Sequence, residues 1–101
     1  MIIERQTQHV RAGKWGGLDD LDAKFNAIEA RYGFPQNKRR LRCFIGGHDA
    51  DTLIVEREWE SLAAMEAAYG GMMADPEWMQ VSQEANDIIE SLQIEVYVPV
   101  P

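Results

Sequence analysis

Apolar residues recur in this chain at two spacings, one typical of helices and one typical of strands. Apolar residues three and four positions apart fall on one face of a helix. The clearest such set is Leu18, Leu21, Phe25, Ile28 and Tyr32. Gly33 can end this helix in the left-handed conformation, and Pro35 cannot continue it, so we predict a first helix that ends at Gly33.

A second helical stretch begins after Trp59 and is interrupted once. Its first part carries the apolar residues Leu62, Met65, Tyr69 and Met72. Asp75-Pro76-Glu77 then starts a further helix, because Asp accepts from free backbone N–H groups, Pro fits the first helical position and Glu complements the dipole. The stripe continues toward the last strand through Trp78, Val81, Ser82, Ala85, Ile88, Ile89 and Leu92. Gly70-Gly71 predicts a kink or break in the first part.

Four further segments have the composition or the alternation of β-strands. They are residues 2–10, 40–46, 52–59 and 93–98, and a glycine-rich turn joins the second and third into a hairpin. The order strand, helix, strand, strand, helix, strand predicts a ferredoxin-like α+β fold, with the helices on one face of a four-stranded antiparallel sheet. Right-handed crossovers favour the spatial order 4-1-3-2.

Two helices cover only one face of such a sheet, so alternation assigns each strand residue to a face. On the helix side we place Leu41, Cys43, Ile45, Leu53, Val55, Ile94, Val96 and Val98, which predicts a buried Cys43. On the other side we place Arg40, Arg42, Phe44, Ile54, Glu56, Glu58, Gln93, Glu95 and Tyr97. That face is either solvated or a twofold interface in which the arginines of one copy meet glutamates of the other. We favour the interface, because Phe44, Ile54 and Tyr97 would otherwise be left in water.

Length and composition fit one domain over residues 1–101, with 46% hydrophobic and 27% charged residues. No apolar run approaches a membrane span, and the single Cys43 excludes an intrachain disulfide, so we expect a cytoplasmic protein. Residues 1–57 hold all ten Lys and Arg with eight acids, a net charge of +2, whereas residues 58–101 hold nine acids, a net charge of −9. The acidic second half repels phosphate backbones and anionic lipid, so neither nucleic acid nor a membrane is an expected partner.

Arg57 is unusual because it shares the helix-side face with Leu53 and Val55. A buried guanidinium needs an anionic partner. Arg57 therefore either forms a structural ion pair (or reaches solvent at the strand end), or it holds a substrate carboxylate or enolate in a pocket between sheet and helices. The apolar walls of that pocket, which are otherwise plain core residues, would be Trp59, Tyr69, Met72 and Trp78.

His9, near the end of the first strand, is the candidate proton-transfer group, with a merely exposed or hydrogen-bonded histidine as the alternative. Turn chemistry explains His48, Asp49 and Asp51 better than a metal does, and neither histidine lies on a predicted helix where it could ligate haem. We therefore expect no metal and no cofactor. The basic cluster Lys38-Arg39-Arg40-Arg42 either binds an anion or protects an edge strand from aggregation.

The chain resembles a known family in its element order and in several short motifs. These are Ile3-Glu4-Arg5 leading to Val10-Arg11-Ala12-Gly13-Lys14, and Glu58-Trp59-Glu60-Ser61-Leu62 spaced ahead of Asp75-Pro76-Glu77-Trp78. They look like the NIPSNAP-like branch of the dimeric α/β-barrel superfamily over nearly the whole chain, although Ala12 stands where the family more often has Pro. The resemblance implies that two sheets form an eight-stranded barrel in a dimer. Superfamily relatives include cofactor-independent monooxygenases, haem-degrading enzymes, small isomerases and many proteins with no assigned activity.

Two functions follow as expectations. The first is a small ligand-binding protein without catalysis, which holds an apolar or aromatic molecule with an acidic group near Arg57. The second is a cofactor-independent monooxygenase or isomerase acting on an activated aromatic or carbonyl substrate, with His9 as base and Arg57 as anion clamp. They differ in whether His9 and Arg57 point into one enclosed cavity. In both cases we expect a homodimer formed through the sheet face.

Overall fold

The computed structural model describes all 101 residues and has the predicted ferredoxin-like α+β architecture. Its elements are β1 (Ile2–Val10), a 3₁₀ turn (Trp15–Gly17), α1 (Leu18–Arg31), β2 (Arg39–Arg42), β3 (Thr52–Trp59), α2 (Leu62–Met73), α3 (Pro76–Ala85) and β4 (Ile89–Tyr97). The strands form one antiparallel sheet in the order β2-β3-β1-β4. This is the predicted order 4-1-3-2 read from the other edge, so the prediction is confirmed.

Local signals account for the ends of the helices. The side chain of Ser61 accepts a hydrogen bond of 3.1 Å from the backbone N–H of Ala64 at the start of α2. Asp75 caps α3 in the same way, with Pro76 at the first position. Gly33 follows α1 with a φ of +76°, the left-handed conformation that glycine adopts without a steric penalty.

The prediction of a break at Gly70-Gly71 is wrong, because α2 runs through both glycines without interruption. Gly71 has a packing role instead. A Cβ at this position would lie 3.1 Å from the ring of Tyr32, so its absence lets α2 approach the end of α1.

The helical pattern predicts a helix that continues toward Leu92, but α3 ends at Ala85. Apolar residues at 88, 89 and 92 fit a helical spacing, but β4 begins at Ile89 and pairs with β1 from Val10 to Ile3. A ladder along almost the full length of β1 satisfies the backbone groups of this segment, and that pairing overrides the local helical pattern.

Strand β2 is shorter than predicted, and its alternation has the opposite phase. Arg40 lies across from Val55 and Arg42 across from Leu53, so both arginines are on the helix side of the sheet. Leu41 lies on the uncovered face. The predicted faces of β2 are therefore wrong, as is the expectation that Arg40 or Arg42 meets the glutamates of the uncovered face.

Contacts with the segment before α1 and with α1 itself explain the phase of β2. Arg40 donates to Asp19 at 2.9 Å, and the guanidinium of Arg42 stacks 3.9 Å from the centre of the Trp15 ring. The chain leaves the sheet after Arg42, so Phe44 and Ile45 are 93% and 88% exposed. Cys43 is only half-buried, and the prediction that it would be buried is wrong.

The apolar core on the helix side is divided into two clusters. The larger contains Ile2, Leu21, Ile28, Phe34, Trp59, Met65, Ala68, Met72 and Val81. The smaller contains Val10, Leu18, Leu53 and Val55. The helices stop short of the edge strand β4, where the helix-side residues Leu92, Ile94 and Val96 remain 54%, 47% and 44% exposed. None of the helices has the length and the hydropathy that crossing a membrane requires.

The two glycine positions predict opposite effects of alanine on stability. We expect Gly33→Ala to lower the free energy of unfolding by about 1–2 kcal/mol, because alanine is strained at positive φ. We expect Gly70→Ala to raise it by about 0.5–1 kcal/mol, because that site lies inside a helix and its Cβ would meet open space. Urea unfolding at one protein concentration measures both, and changes of the same sign would contradict the two backbone assignments.

Candidate functional site

A cavity of about 540 Å³ lies between the helix side of the sheet and the three helices. Its apolar walls include Leu18, Leu21 and Phe25 from α1, Leu53 and Val55 from β3, and Tyr69, Met72 and Trp78 from α2 and α3. Residues of both core clusters line it, so the cavity is the gap that separates them. It opens past β4, where Leu92 and Ile94 line it and are about half exposed. A space of this size and lining is typical of a site for a small organic molecule.

The sheet wall of the cavity carries one line of polar side chains, contributed by β1. Gln6 and Gln8 both line the cavity and point to the helix side of the sheet. Gln8 donates to the side-chain oxygen of Gln6 at 2.9 Å, and Gln6 donates to Glu4 at 2.9 Å. The hydrogen bonds therefore run along β1 from the cavity to a carboxylate in the core.

Glu4 is almost fully buried, with 1% of its surface exposed. Besides the bond from Gln6, it accepts one from the indole N–H of Trp59 at 2.8 Å and one from the hydroxyl of Tyr69. Burial and then the negative charge of Glu4 raise the pKa of Tyr69, so this hydroxyl stays protonated and remains a donor. Each oxygen of Glu4 thus has donors, which a buried carboxylate requires.

Arg57 forms a structural ion pair beneath the cavity. Its guanidinium, only 2% exposed, lies 3.4 Å from Glu4 and 2.8 Å from Glu29. The ring centres of Phe34 and Trp59 are 4.8 and 5.8 Å from it. Arg57 does not line the cavity. The structure therefore agrees with the first interpretation of Arg57, a structural ion pair, and not with an anion clamp in the cavity.

The cations that do face the cavity come from the basic cluster around β2. Lys38 lies 2.9 Å from Asp22 and 3.1 Å from Glu29, and Arg40 pairs with Asp19 and Asp22. Lys38, Arg40, Asp22 and Glu29 all line the cavity, and both cations are held by carboxylates of α1. The cluster thus joins the edge of the sheet to α1.

His9 lies on the uncovered face of the sheet, opposite to the face that carries Arg57. Its ring nitrogens are 3.2 Å from Asp49 and 2.8 Å from Glu90. Burial lowers the pKa of His9, but the two carboxylates raise it by more, so the net shift is upward. Neither His9 nor Arg57 lines the cavity, and the two side chains lie on opposite faces of the sheet. The geometry therefore does not bring the predicted base to the predicted anion clamp.

The structure places three of the four predicted wall residues in the cavity and the fourth in the core. Tyr69, Met72 and Trp78 line the cavity, whereas Trp59 is 2% exposed in the core and faces Glu4. The sequence analysis did not identify Glu4, Gln6 and Gln8 as residues of the site. Their spacing of two was the available signal, since it places all three on one face.

The turn before β3 is organised by hydrogen bonds within the protein. Asp49 accepts from the backbone N–H of Asp51 at 2.9 Å, and Asp51 accepts from the indole of Trp15 at 2.9 Å. No three His, Cys, Asp or Glu side chains of the chain converge in an arrangement that could hold a metal ion.

Fold and cavity together define a class of protein, a ferredoxin-like α+β domain with a ligand-sized space between sheet and helices. A family model assigns it further: the NIPSNAP model matches residues 45–101, more than half of the chain. The chain belongs to the NIPSNAP family. No significant match is found among functionally curated proteins.

Several solved structures share the fold. A NIPSNAP family protein of unknown function from Agrobacterium tumefaciens is 19% identical, with a TM-score of 0.80 over 99% of this chain and 88% of that one. A second NIPSNAP family protein from the same bacterium is 22% identical, with a TM-score of 0.79 over 98% and 92% of the two chains. SnoaB, a cofactor-independent oxygenase from Streptomyces nogalater, is 12% identical, with a TM-score of 0.72 over 99% and 93%. At such identities the likeness establishes the fold alone.

The buried ion pair predicts a large difference between two arginines of adjacent central strands. Arg57→Met should lower the free energy of unfolding by about 3–5 kcal/mol, because it leaves Glu4 buried without its cation. Arg5→Met is the control: Arg5 pairs with Glu56 on the uncovered face and is 42% exposed, so we expect a loss below about 1 kcal/mol. Equal losses in urea unfolding would show that Arg57 is not the buried counter-ion of Glu4.

Proposed function

We propose that this protein binds a small apolar or aromatic molecule in the cavity between its sheet and its helices. The observation that carries the proposal is the cavity of about 540 Å³, which interrupts the core and opens past β4. Burying an apolar molecule there would remove from water the partly exposed walls formed by Phe25 and Trp78, together with the half-exposed Leu92 and Ile94.

The charges around the cavity bear on the acidic group that we expected on the ligand. That expectation depended on Arg57, which is neutralised by Glu4 and Glu29 and lies beneath the cavity. Lys38 and Arg40 are already paired with acids of α1. Three acidic residues, Asp22, Glu29 and Glu90, line the cavity beside these two basic ones. A free carboxylate would have to displace those acids. We therefore propose that the acidic group is a weakly acidic hydroxyl, a phenol or an enol, which enters in its neutral form.

The alternative function is cofactor-independent oxidation or isomerisation of an activated aromatic or carbonyl substrate. The fold shared with the oxygenase SnoaB supports it. That chemistry needs a base that reaches the substrate, and His9 lies on the other face of the sheet. We therefore propose binding, in the cytoplasm, as the function.

We also propose that two copies associate through the uncovered face of the sheet. That face carries the partly exposed Ile54 and Tyr97 beside an ion cluster in which Glu56 accepts from Arg5 and Arg39 at 2.9 and 2.7 Å. Apolar groups set among paired charges suit a self-complementary interface. Association would remove these apolar groups from water.

Ligand binding can be tested with 1-naphthol and 1-methylnaphthalene, neutral bicyclic molecules of nearly equal size, by titration calorimetry. We expect a Kd on the order of 100 μM for the wild type. Ile94→Trp should weaken binding of both by about tenfold or more, because the indole occupies the mouth of the cavity.

Val96→Trp is the matched control for that variant. Val96 has the same orientation on the same strand and is 44% exposed, but it does not line the cavity, so its replacement should leave binding unchanged. The proposal would be wrong if neither molecule bound the wild type, or if the two variants had the same effect.

The dimer can be tested by a charge at the centre of the uncovered face. Thr7 lies on the central strand β1, across from Ile54 and Gln93. Thr7→Arg should convert a dimer into a monomer at low micromolar concentration, because a twofold axis brings the two new charges together. Ala27→Arg, on the exposed side of α1, should leave the protein dimeric in native mass spectrometry. A wild type of monomeric mass would refute the interface.

A further inference from the structure

We infer that Gln8 is the residue that recognises the polar group of the ligand, and that this group is a hydroxyl carried by an apolar body. The inference rests on the proposed function, because it concerns the ligand of the same cavity. It names the side chain that selects the ligand and the chemical class that is selected.

The two glutamines are isolated in apolar surroundings on the sheet wall. In the register of the sheet, Gln6 has Val55 on one side and Ile94 on the other. Gln8 lies in the same way between Leu53 and Leu92. A polar group of a ligand that lies between these apolar side chains therefore meets the two amides. The other polar side chains of the sheet that line the cavity are Arg40 on β2 and Glu90 and Ser91 on β4.

The buried carboxylate determines which way both amides point. An ionised carboxylate only accepts hydrogen bonds, so Gln6 must turn its N–H groups toward Glu4, and the same nitrogen lies 3.1 Å from the hydroxyl of Tyr69. The oxygen of Gln6 is thereby directed to Gln8, whose nitrogen donates to it at 2.9 Å. Each amide is oriented by the one before it, and the direction of the whole line is set in the core.

The line ends in the cavity with unused hydrogen-bonding capacity on Gln8. Its side-chain oxygen accepts no hydrogen bond from the protein, and its second N–H remains free. A hydroxyl can donate to that oxygen and accept from that N–H. A hydrocarbon of the same size would cover both groups without pairing them, which weakens its binding. Phenols, enols and alcohols with an apolar frame are therefore the class that fits.

The test compares 1-naphthol, which has the hydroxyl, with 1-methylnaphthalene, which has a methyl group in its place. Calorimetry gives the ratio of the two Kd values for the wild type and for Gln8→Met, a variant of similar size that lacks the amide. The preference for 1-naphthol is the Kd of 1-methylnaphthalene divided by the Kd of 1-naphthol. We expect this ratio to fall by about three- to tenfold in Gln8→Met, which corresponds to the loss of one neutral hydrogen bond. The ratio corrects for any general loss of affinity in the variant.

Gln80→Met is the matched control, since it makes the same replacement at an exposed residue of α3 that does not line the cavity. Its ratio should equal that of the wild type. A ratio unchanged in Gln8→Met, or changed as much in Gln80→Met, would overturn the role of Gln8 while leaving the cavity as the binding site. Failure of both molecules to bind the wild type would instead refute the proposed function.

Discussion

The structure depends on the buried carboxylate of Glu4. With 1% of its surface exposed, this group would be very costly unless it had a counter-ion and several donors. The donors come from separate parts of the chain: Gln6 from β1, Trp59 and Arg57 from β3, and Tyr69 from α2. A single side chain thus connects the two central strands to the helix above them. The helix can slide along the sheet only by giving up bonds to a buried charge.

The cavity follows from the same line of polar residues. Glu4 is covered by aromatic side chains, but Gln6 and Gln8 continue along β1 where a closed core would need apolar residues. Apolar side chains of the helices cannot cover those amides without leaving polar groups unpaired. The apolar residues pack instead as two clusters on either side. The gap between them is the cavity. There a ligand with one polar group and an apolar body would hydrogen-bond to the amides and pack against the apolar side chains.

The two faces of the sheet use charge in different ways. On the helix side, Arg57 is enclosed with Glu4 and Glu29, whose side chains are 1% and 14% exposed, so solvent screens these ion pairs less. On the uncovered face, Arg5 and Arg39 converge on Glu56 and are 42% and 67% exposed, so their attraction is weakened by solvent. The same fold occurs in NIPSNAP proteins and in an oxygenase, and a fold does not by itself define a chemistry. In this chain, β1 presents the side chains of Gln6 and Gln8 to the cavity.

The sequence by itself determined the order of the elements, the order of the strands and most of the helix ends. These depend on signals within a few residues, such as the left-handed Gly33 after α1 or the Asp75-Pro76 start of α3. Only the tertiary structure decided the phase of β2, the early start of β4 and the partners of Arg57. The reason is distance along the chain: Glu29 is 28 residues from Arg57, and Glu4 is 65 residues from Tyr69. Strand alternation placed Arg57 on the buried face, where it needs an acidic partner. No local sequence pattern indicates which acid that partner is. His9 shows the same limit, because its separation from Arg57 by the thickness of the sheet followed from the register of β1 against β3.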